Sequence, residues 1–331
     1  LRKSSYLVQG VRINVTCENQ LDSLISSYFG FLYKGEWQSE MEPPEFELYI
    51  AVEPFPFIPA DLVQVVKTPF VTSYSSGKEI YFISADGSIV CLNPNERNAK
   101  GFIKKETLDN PISFFSLLGV SVVEVLKYYN LYFLHSAALY GNGIGYLISG
   151  DGGCGKTTTS LSLVWKGFRY ISDDSLFIKE LDGEIIVCPL YTSFHIDQDI
   201  AKRFPDVFGE DVLPIPDGVK LSVDISQIFP GSFISSIRPD VIIFPRISPN
   251  AESQLYPISR MEVYRRLIKQ TILAADRIIS RNQIRVLEKL VKQTVGFELI
   301  EGRDIYEEPK KIISLIYQIN GQNGNHKKNK I

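Results

Sequence analysis

Two sets of residues in this chain have the types and spacing that phosphoryl chemistry needs. The first is the octet Gly150 to Thr157, which reads Gly-Asp-Gly-Gly-Cys-Gly-Lys-Thr. Two glycines with four residues between them, followed by Lys and Thr, form a phosphate-loop pattern whose backbone N–H groups converge on an anion. Gly152, Gly153 and Gly155 are expected to take φ > 0 and let the backbone approach closely, with Gly150 opening the loop. Lys156 would reach the β- and γ-phosphates, the Thr157 hydroxyl would hold Mg²⁺, and Thr158 would follow at the helix start. Cys154 sits inside the loop, where nearby amides can lower a thiol's pKa; the plainer reading is a small residue that fits. The second set is the acidic pair Asp173 and Asp174. Phosphoryl transfer asks for one carboxylate that holds Mg²⁺, and transfer to a hydroxyl benefits from a second that accepts the alcohol proton. Lys220 is a further candidate, as a cation for the transferring group.

These residues need particular elements around them. Residues 144–149 form a short apolar run suited to a buried strand, and 158–165 can continue as a helix ending at Gly167. A strand, a glycine-rich turn and a helix start aim the positive end of the helix at the bound phosphates. Residues 170–178 read as a strand carrying the acidic pair, and neighbouring side chains on a strand point to opposite faces. His135 lies on the preceding strand, 131–139, where spacing alone describes a satisfied core histidine. A tight turn at 141–143 joins that strand to the phosphate-loop strand.

Upstream, residues 1–110 read as a β-rich module with one helix, alternating at 11–15 and 46–52 and turning at Asp86-Gly87 between two apolar runs. Pro54, Pro56 and Pro59 confine 53–59 to loop or edge. A helix opens at Asn110-Pro111 and runs to Tyr129, with Leu117, Leu118, Val122, Val125 and Leu126 as its buried face. Strands at 220–225, 240–245 and 297–300 and helices at 259–273, 282–293 and 307–319 complete a second domain, 111–319. The Asn-, Gly- and Lys-rich residues 320–331 read as a flexible tail. The class is α/β, with an α+β N-terminal module and a mixed sheet flanked by helices.

A chain of 331 residues with 44% hydrophobic and 22% charged content is an ordinary globular composition. The net charge of -3 offers no basic field for nucleic acid or an anionic membrane. No apolar run approaches the ~18 residues of a membrane span, and the first residues do not resemble a signal peptide. Cys17, Cys91, Cys154 and Cys188 are far apart and form no Cys-x-x-Cys pair. They read as reduced thiols of a cytoplasmic protein.

The run from Leu134-His135 through the phosphate loop to Gly167 and Asp173-Asp174 resembles the catalytic domain of HPr kinase/phosphorylase and its kinase relatives. A His-bearing strand, a phosphate loop, a helix ending in a Gly turn and a strand ending in Asp-Asp occur here in the family's order. The resemblance, weaker toward 319, implies a core related to that of phosphoenolpyruvate carboxykinase. It also implies ATP with Mg²⁺ and a seryl hydroxyl of a small protein or peptide as acceptor. His135 would assist proton removal, with one aspartate as general base and the other as metal partner; Asp173 is preferred as base and Asp174 as metal partner. The family's Arg-Gly-x-Gly signature is missing from residues 216–224. In this the chain is more similar to divergent HPr-kinase-like enzymes of peptide natural-product pathways, including lasso precursor peptides. The β-rich module would then grip the acceptor, and a homo-oligomer stays open. A non-catalytic ATP-binding regulator and a small-molecule kinase on the same core are the competing readings.

Overall fold

The computed structural model describes residues 1–35, 42–55, 57–209, 220–248, 252–308 and 311–318. Two compact units emerge: Leu1–Phe133 with Ile272–Arg285, and Leu134–Thr271 with the chain from Val286 onward. The expected tail at 320–331, Pro56, and residues 216–219 of the stretch lacking the glycine signature all lie outside the described residues.

Alternating apolar residues build the first unit. Val11–Cys17 buries Val11, Ile13, Val15 and Cys17 on one face, as a period of two requires. It runs parallel to Glu45–Ala51, which runs parallel to Asn98–Phe102. Arg2–Val8 adds one antiparallel edge, and Ile89–Asn93, Ile80–Ser84, Val71–Ser75 and Val63–Lys67 extend the other side to eight strands. The Asp86-Gly87 turn forms as expected: Ile80–Ser84 and Ile89–Asn93 pair antiparallel, with Gly87 at φ +86°. Asp86 accepts hydrogen bonds from the Ser84 and Ser113 hydroxyls and from Ser88 N–H.

The helix expected from Asn110 forms over Pro111–Lys127, with the Asn110 side chain accepting from Ser113 N–H at 3.2 Å. Its expected apolar face is buried, and it packs on Ile80–Ser84 and Ile89–Asn93. It therefore belongs to the first unit, not to the second domain that was expected to begin at 111. At its end the Lys127 ammonium donates to Glu124 at 2.6 Å in a fully buried pair, and the other Glu124 oxygen accepts from Ala275 N–H. Lone buried charges are costly, and this pairing satisfies both groups.

The second unit is built on a mixed sheet in the order Glu184–Pro189, Ser175–Leu181, Tyr132–Gly141, Ile144–Ser149, Val241–Ile247, Val295–Glu301, Gln254–Ile258. The phosphate-loop strand Ile144–Ser149 is central, antiparallel to Tyr132–Gly141 and parallel to Val241–Ile247. A two-residue turn with Asn142 at φ +54° and Gly143 at φ +78° joins the first pair. Such a central position asks for apolar residues on both faces, and Tyr146, Leu147 and Ile148 are fully buried. Helix Lys156–Trp165 covers this strand and Arg169–Ser172.

Three expectations change. The strand expected at 170–178 is two strands, Arg169–Ser172 and Ser175–Leu181, with Asp173 and Asp174 in the bend between them. The Ser172 hydroxyl holds this bend, donating to Ser175 C=O at 2.8 Å and accepting from Ser175 N–H at 3.3 Å. The helix expected at 259–273 ends at Leu267 and a short 3₁₀ turn, while the next starts earlier, as Arg277–Gln293. The final helix is divided into Arg303–Glu307 and helical residues at 312–318.

Candidate functional site

The phosphate loop leaves the sheet at the buried end of Ile144–Ser149. Gly150 adopts φ +153°, Gly153 φ +77° and Gly155 φ +110°. Gly152, expected among the left-handed positions, is not one of them, and a Cβ there would meet nothing within 4 Å. Gly155 is the constrained one. It caps helix Lys156–Trp165 in a left-handed conformation, and a Cβ on it would collide with the Glu301 carboxylate. Lys156, 6% exposed, folds over its own loop and donates to Gly150 C=O at 2.8 Å and Asp151 C=O at 3.1 Å. Its ammonium thus waits on weak carbonyl partners where an anion would be the stronger one.

Beneath the loop, the Thr159 hydroxyl donates to Glu301 at 2.5 Å. Burial pushes the Glu301 carboxyl up to about 7, against the lowering effect of Thr159 and of Arg203. Gln270 donates to the Asp151 side chain at 2.7 Å and ties the loop's outer arm to the body of the unit. Cys154 fits the plainer reading of a small residue in the loop: burial pushes its thiol up despite the nearby Lys156, and it packs beside Gly150.

The acidic bend separates its two members. Asp174 turns outward, with a side chain 36% exposed and Oδ1 3.3 Å from His135 Nδ1. Asp173 turns into the core and is 1% exposed. Its Oδ2 accepts the His195 backbone N–H at 2.9 Å, and His195 Nδ1 lies 3.7 Å from Oδ1. The two imidazoles shift in opposite directions. Burial lowers the His135 pKa, with Asp174 pulling the other way. The Asp173 carboxylate beside it raises that of His195, against the effect of its own burial.

One cavity of about 400 Å³ gathers most of the expected residues. Gly152, Gly153, Gly155 and Lys156 form its loop wall, and Thr157 and Thr158 the helix start. His135, Asp174 and Lys220 also line it. Gly150, Cys154 and Asp173 do not line it. Asp197, Asp199 and Arg203, which the sequence did not single out, do. They come from the short helix Gln198–Arg203 and its cap, where Asp197 accepts from Ile200 N–H. His195 was also missed. Its strand Phe194–Ile196 pairs with Leu221–Val223, bringing it beside Asp173 through a contact no local motif encodes.

The cavity fits a polyphosphate: it joins left-handed glycine backbone, a helix N-terminus and the Lys156 ammonium on one wall. Its donor set also fits Mg²⁺, since Thr157 and Asp174 offer hard oxygen atoms. Among the described residues no group of three or more His, Cys, Asp or Glu could hold a metal ion.

No family model matches the chain. An HPr kinase/phosphorylase of Clostridium beijerinckii is 43% identical over 53 residues, 16% of this chain and 18% of the relative. One of Clostridium tetani is 32% identical over 97 residues, 29% of each chain. The chain thus spans less than a third of the length of these curated relatives. The solved Hpr(Ser) kinase/phosphatase of Coxiella burnetii aligns with 58% of this chain and 98% of its own, at 14% identity and a TM-score of 0.33. Over the stretches these curated relatives share with it, the chain is HPr kinase-like.

Proposed function

We propose that this chain is an ATP- and Mg²⁺-dependent phosphotransferase that moves the γ-phosphoryl group of ATP to a serine hydroxyl of a small protein or precursor peptide. The observation that carries the reading is a single cavity bearing Lys156 and the phosphate-loop backbone on one wall and the Asp174–His135 pair on another. The local likeness to HPr kinase/phosphorylases supports the acceptor class.

In this reading the loop amides and Lys156 hold the β- and γ-phosphates, and Lys156 gives up its contacts with Gly150 and Asp151 to do so. Thr157 and Asp174 are the oxygen donors that would hold Mg²⁺. When bound, the ion neutralises charge on the phosphate oxygens. Lys220 and Arg203 add positive charge to the cavity lining. The serine oxygen forms its bond to the γ-phosphorus as the bond to the departing ADP oxygen breaks, and the hydroxyl proton passes to the Asp174–His135 pair. Burial disfavours the imidazolium of His135, so its ring is neutral near pH 7 and free to take a proton. Asp173, expected as base, is buried and off the cavity wall, so in this reading His135 takes the proton and Asp174 holds its ring.

Among the described residues no helix is long and apolar enough to cross a membrane, and all four cysteines are free thiols; both fit work in the cytoplasm. The test is incubation with Mg-ATP and either HPr or serine-containing peptides, read by mass spectrometry. A phosphoserine that disappears with Lys156→Met supports the proposal. Nucleotide binding without a modified acceptor in any peptide or HPr sample would favour the regulator reading.

A further inference from the structure

Two buried polar atoms in the second unit have no hydrogen-bond partner among the described residues and sit opposite each other: Asp173 Oδ1 and His195 Nδ1, 3.7 Å apart. Each is costly if left alone. A buried carboxylate oxygen without a donor loses its hydration and gains little in exchange. The gap is too short for a bridging water, and a shift of under an ångström brings the pair to hydrogen-bond distance. The other Asp173 oxygen is already fixed by His195 N–H. One residue therefore addresses both oxygens of the buried carboxylate, through its backbone and through its ring.

The anchor under this pair is rigid. Phe194 and Ile196, on either side of His195, are 0% and 1% exposed. The Phe194 ring packs edge-on against Tyr170 at 5.1 Å, and Tyr170 lies on the strand that leads into the acidic bend. The other end of the bend is fixed by the Ser172 hydroxyl. Asp174, the next residue, meets a Ser175 hydroxyl at 3.4 Å and His135 among the described residues. Its aim depends on the backbone that precedes it.

We propose that His195 is a positioning residue: its ring and backbone clamp the Asp173 carboxylate, fixing the bend that turns Asp174 toward His135 and the cavity. His195 does not line the cavity, so it acts through the acidic bend. Asp173 in this view is the structural half of the pair and Asp174 the reactive half.

The kinetic arm of the test rests on the phosphotransfer reading, and the structural arm does not. His195→Ala keeps the backbone N–H and removes only the ring. It is expected to lower kcat for serine phosphorylation about 10- to 100-fold, the effect of a misplacement on the order of an ångström. The KM for ATP should stay within about twofold, because the phosphate loop is untouched. His195→Asn, whose amide can supply the lost donor, should restore most of kcat. A residue that merely supports the fold would shift kcat and KM together with the melting temperature, and Asn would not rescue it. An unchanged kcat in His195→Ala overturns the proposal. If the wild-type protein transfers no phosphate, the functional reading fails, and crystal structures of wild type, His195→Ala and His195→Asn decide the clamp. The ring's loss should turn the Asp173 carboxylate and separate Asp174 from His135, with Asn restoring both. Positions unchanged in His195→Ala would overturn it.

Discussion

Asp173 and Asp174 are neighbours in sequence, and each has a histidine beside it. His135 lies 3.3 Å from a carboxylate that is one-third exposed on a cavity wall. His195 lies 3.7 Å from a carboxylate that is 1% exposed and also bound by a backbone N–H. Burial holds the first imidazole toward its neutral form, and its carboxylate holds the second toward its charged form. The same dipeptide thus sets its two imidazoles in opposing surroundings. What separates them is a single bend, not a difference in residue type. Paired titratable groups whose surroundings push them apart mark a division of labour between acid and base roles.

The largest expected effect breaks this comparison at its reactive half. Asp174→Asn should lower the single-turnover rate of serine phosphorylation by about 10² to 10⁴, the usual range for disabling general-base catalysis, here by freeing the His135 ring. Asp173→Asn should cost clearly less, because an amide oxygen can still accept the His195 N–H. Equal losses in the two variants would refute the division. Next in size is Lys156→Met, expected to weaken ATP binding by about 10- to 100-fold in calorimetry, as a charge-assisted contact of about 1.5–3 kcal/mol is lost.

A third carboxylate sharpens the contrast, since Glu301 is also buried and accepts the Thr159 hydroxyl, with Arg203 acting on it from a distance. Its folded-state pKa of about 7 stands above the ordinary 4.5. Between those values the folded protein binds more protons than the unfolded chain, so stability falls as pH rises from about 4.5 to about 7 and is level above that. Glu301→Gln should flatten this window and leave the protein more stable at pH 8 by about 1–3 kcal/mol, read by denaturant melts. A decline of the same size in the Gln variant would show that other groups cause it. The smallest effects concern the loop's glycines. Gly155→Ala should destabilise by about 1–3 kcal/mol through a strained backbone and the clash with Glu301. Gly152→Ala should stay within about 0.5 kcal/mol of wild type.

How much of this was legible depends on whether a residue's partner is near it in sequence. The phosphate loop could be read because its glycines, Lys156 and Thr157 carry their geometry within eight residues, and turns such as Asn142-Gly143 and Asp86-Gly87 declare themselves by the left-handed glycine they need. The helix 111–127 was visible from its apolar stripe. Its membership in the first unit was not, because a stripe tells that a face is covered and not by which sheet. The split of the strand at 170–178 was hidden for a similar reason: Ser172 and Ser175 suit a strand edge or a bend, and only their mutual hydrogen bonds decide. His195 and Arg203 come from the chain beyond the acidic bend and join the neighbourhood of Asp173 and the cavity by folding alone. No spacing rule could have found them.

The most direct test is a crystal structure with Mg²⁺ and a non-hydrolysable ATP analogue. The account predicts the triphosphate along Gly150–Thr157, Lys156 turned from the Gly150 and Asp151 carbonyls onto the phosphates, and the terminal phosphate facing Asp174 and His135 with Asp173 still under His195. A triphosphate bound elsewhere, or a terminal phosphate facing away from Asp174, would contradict it.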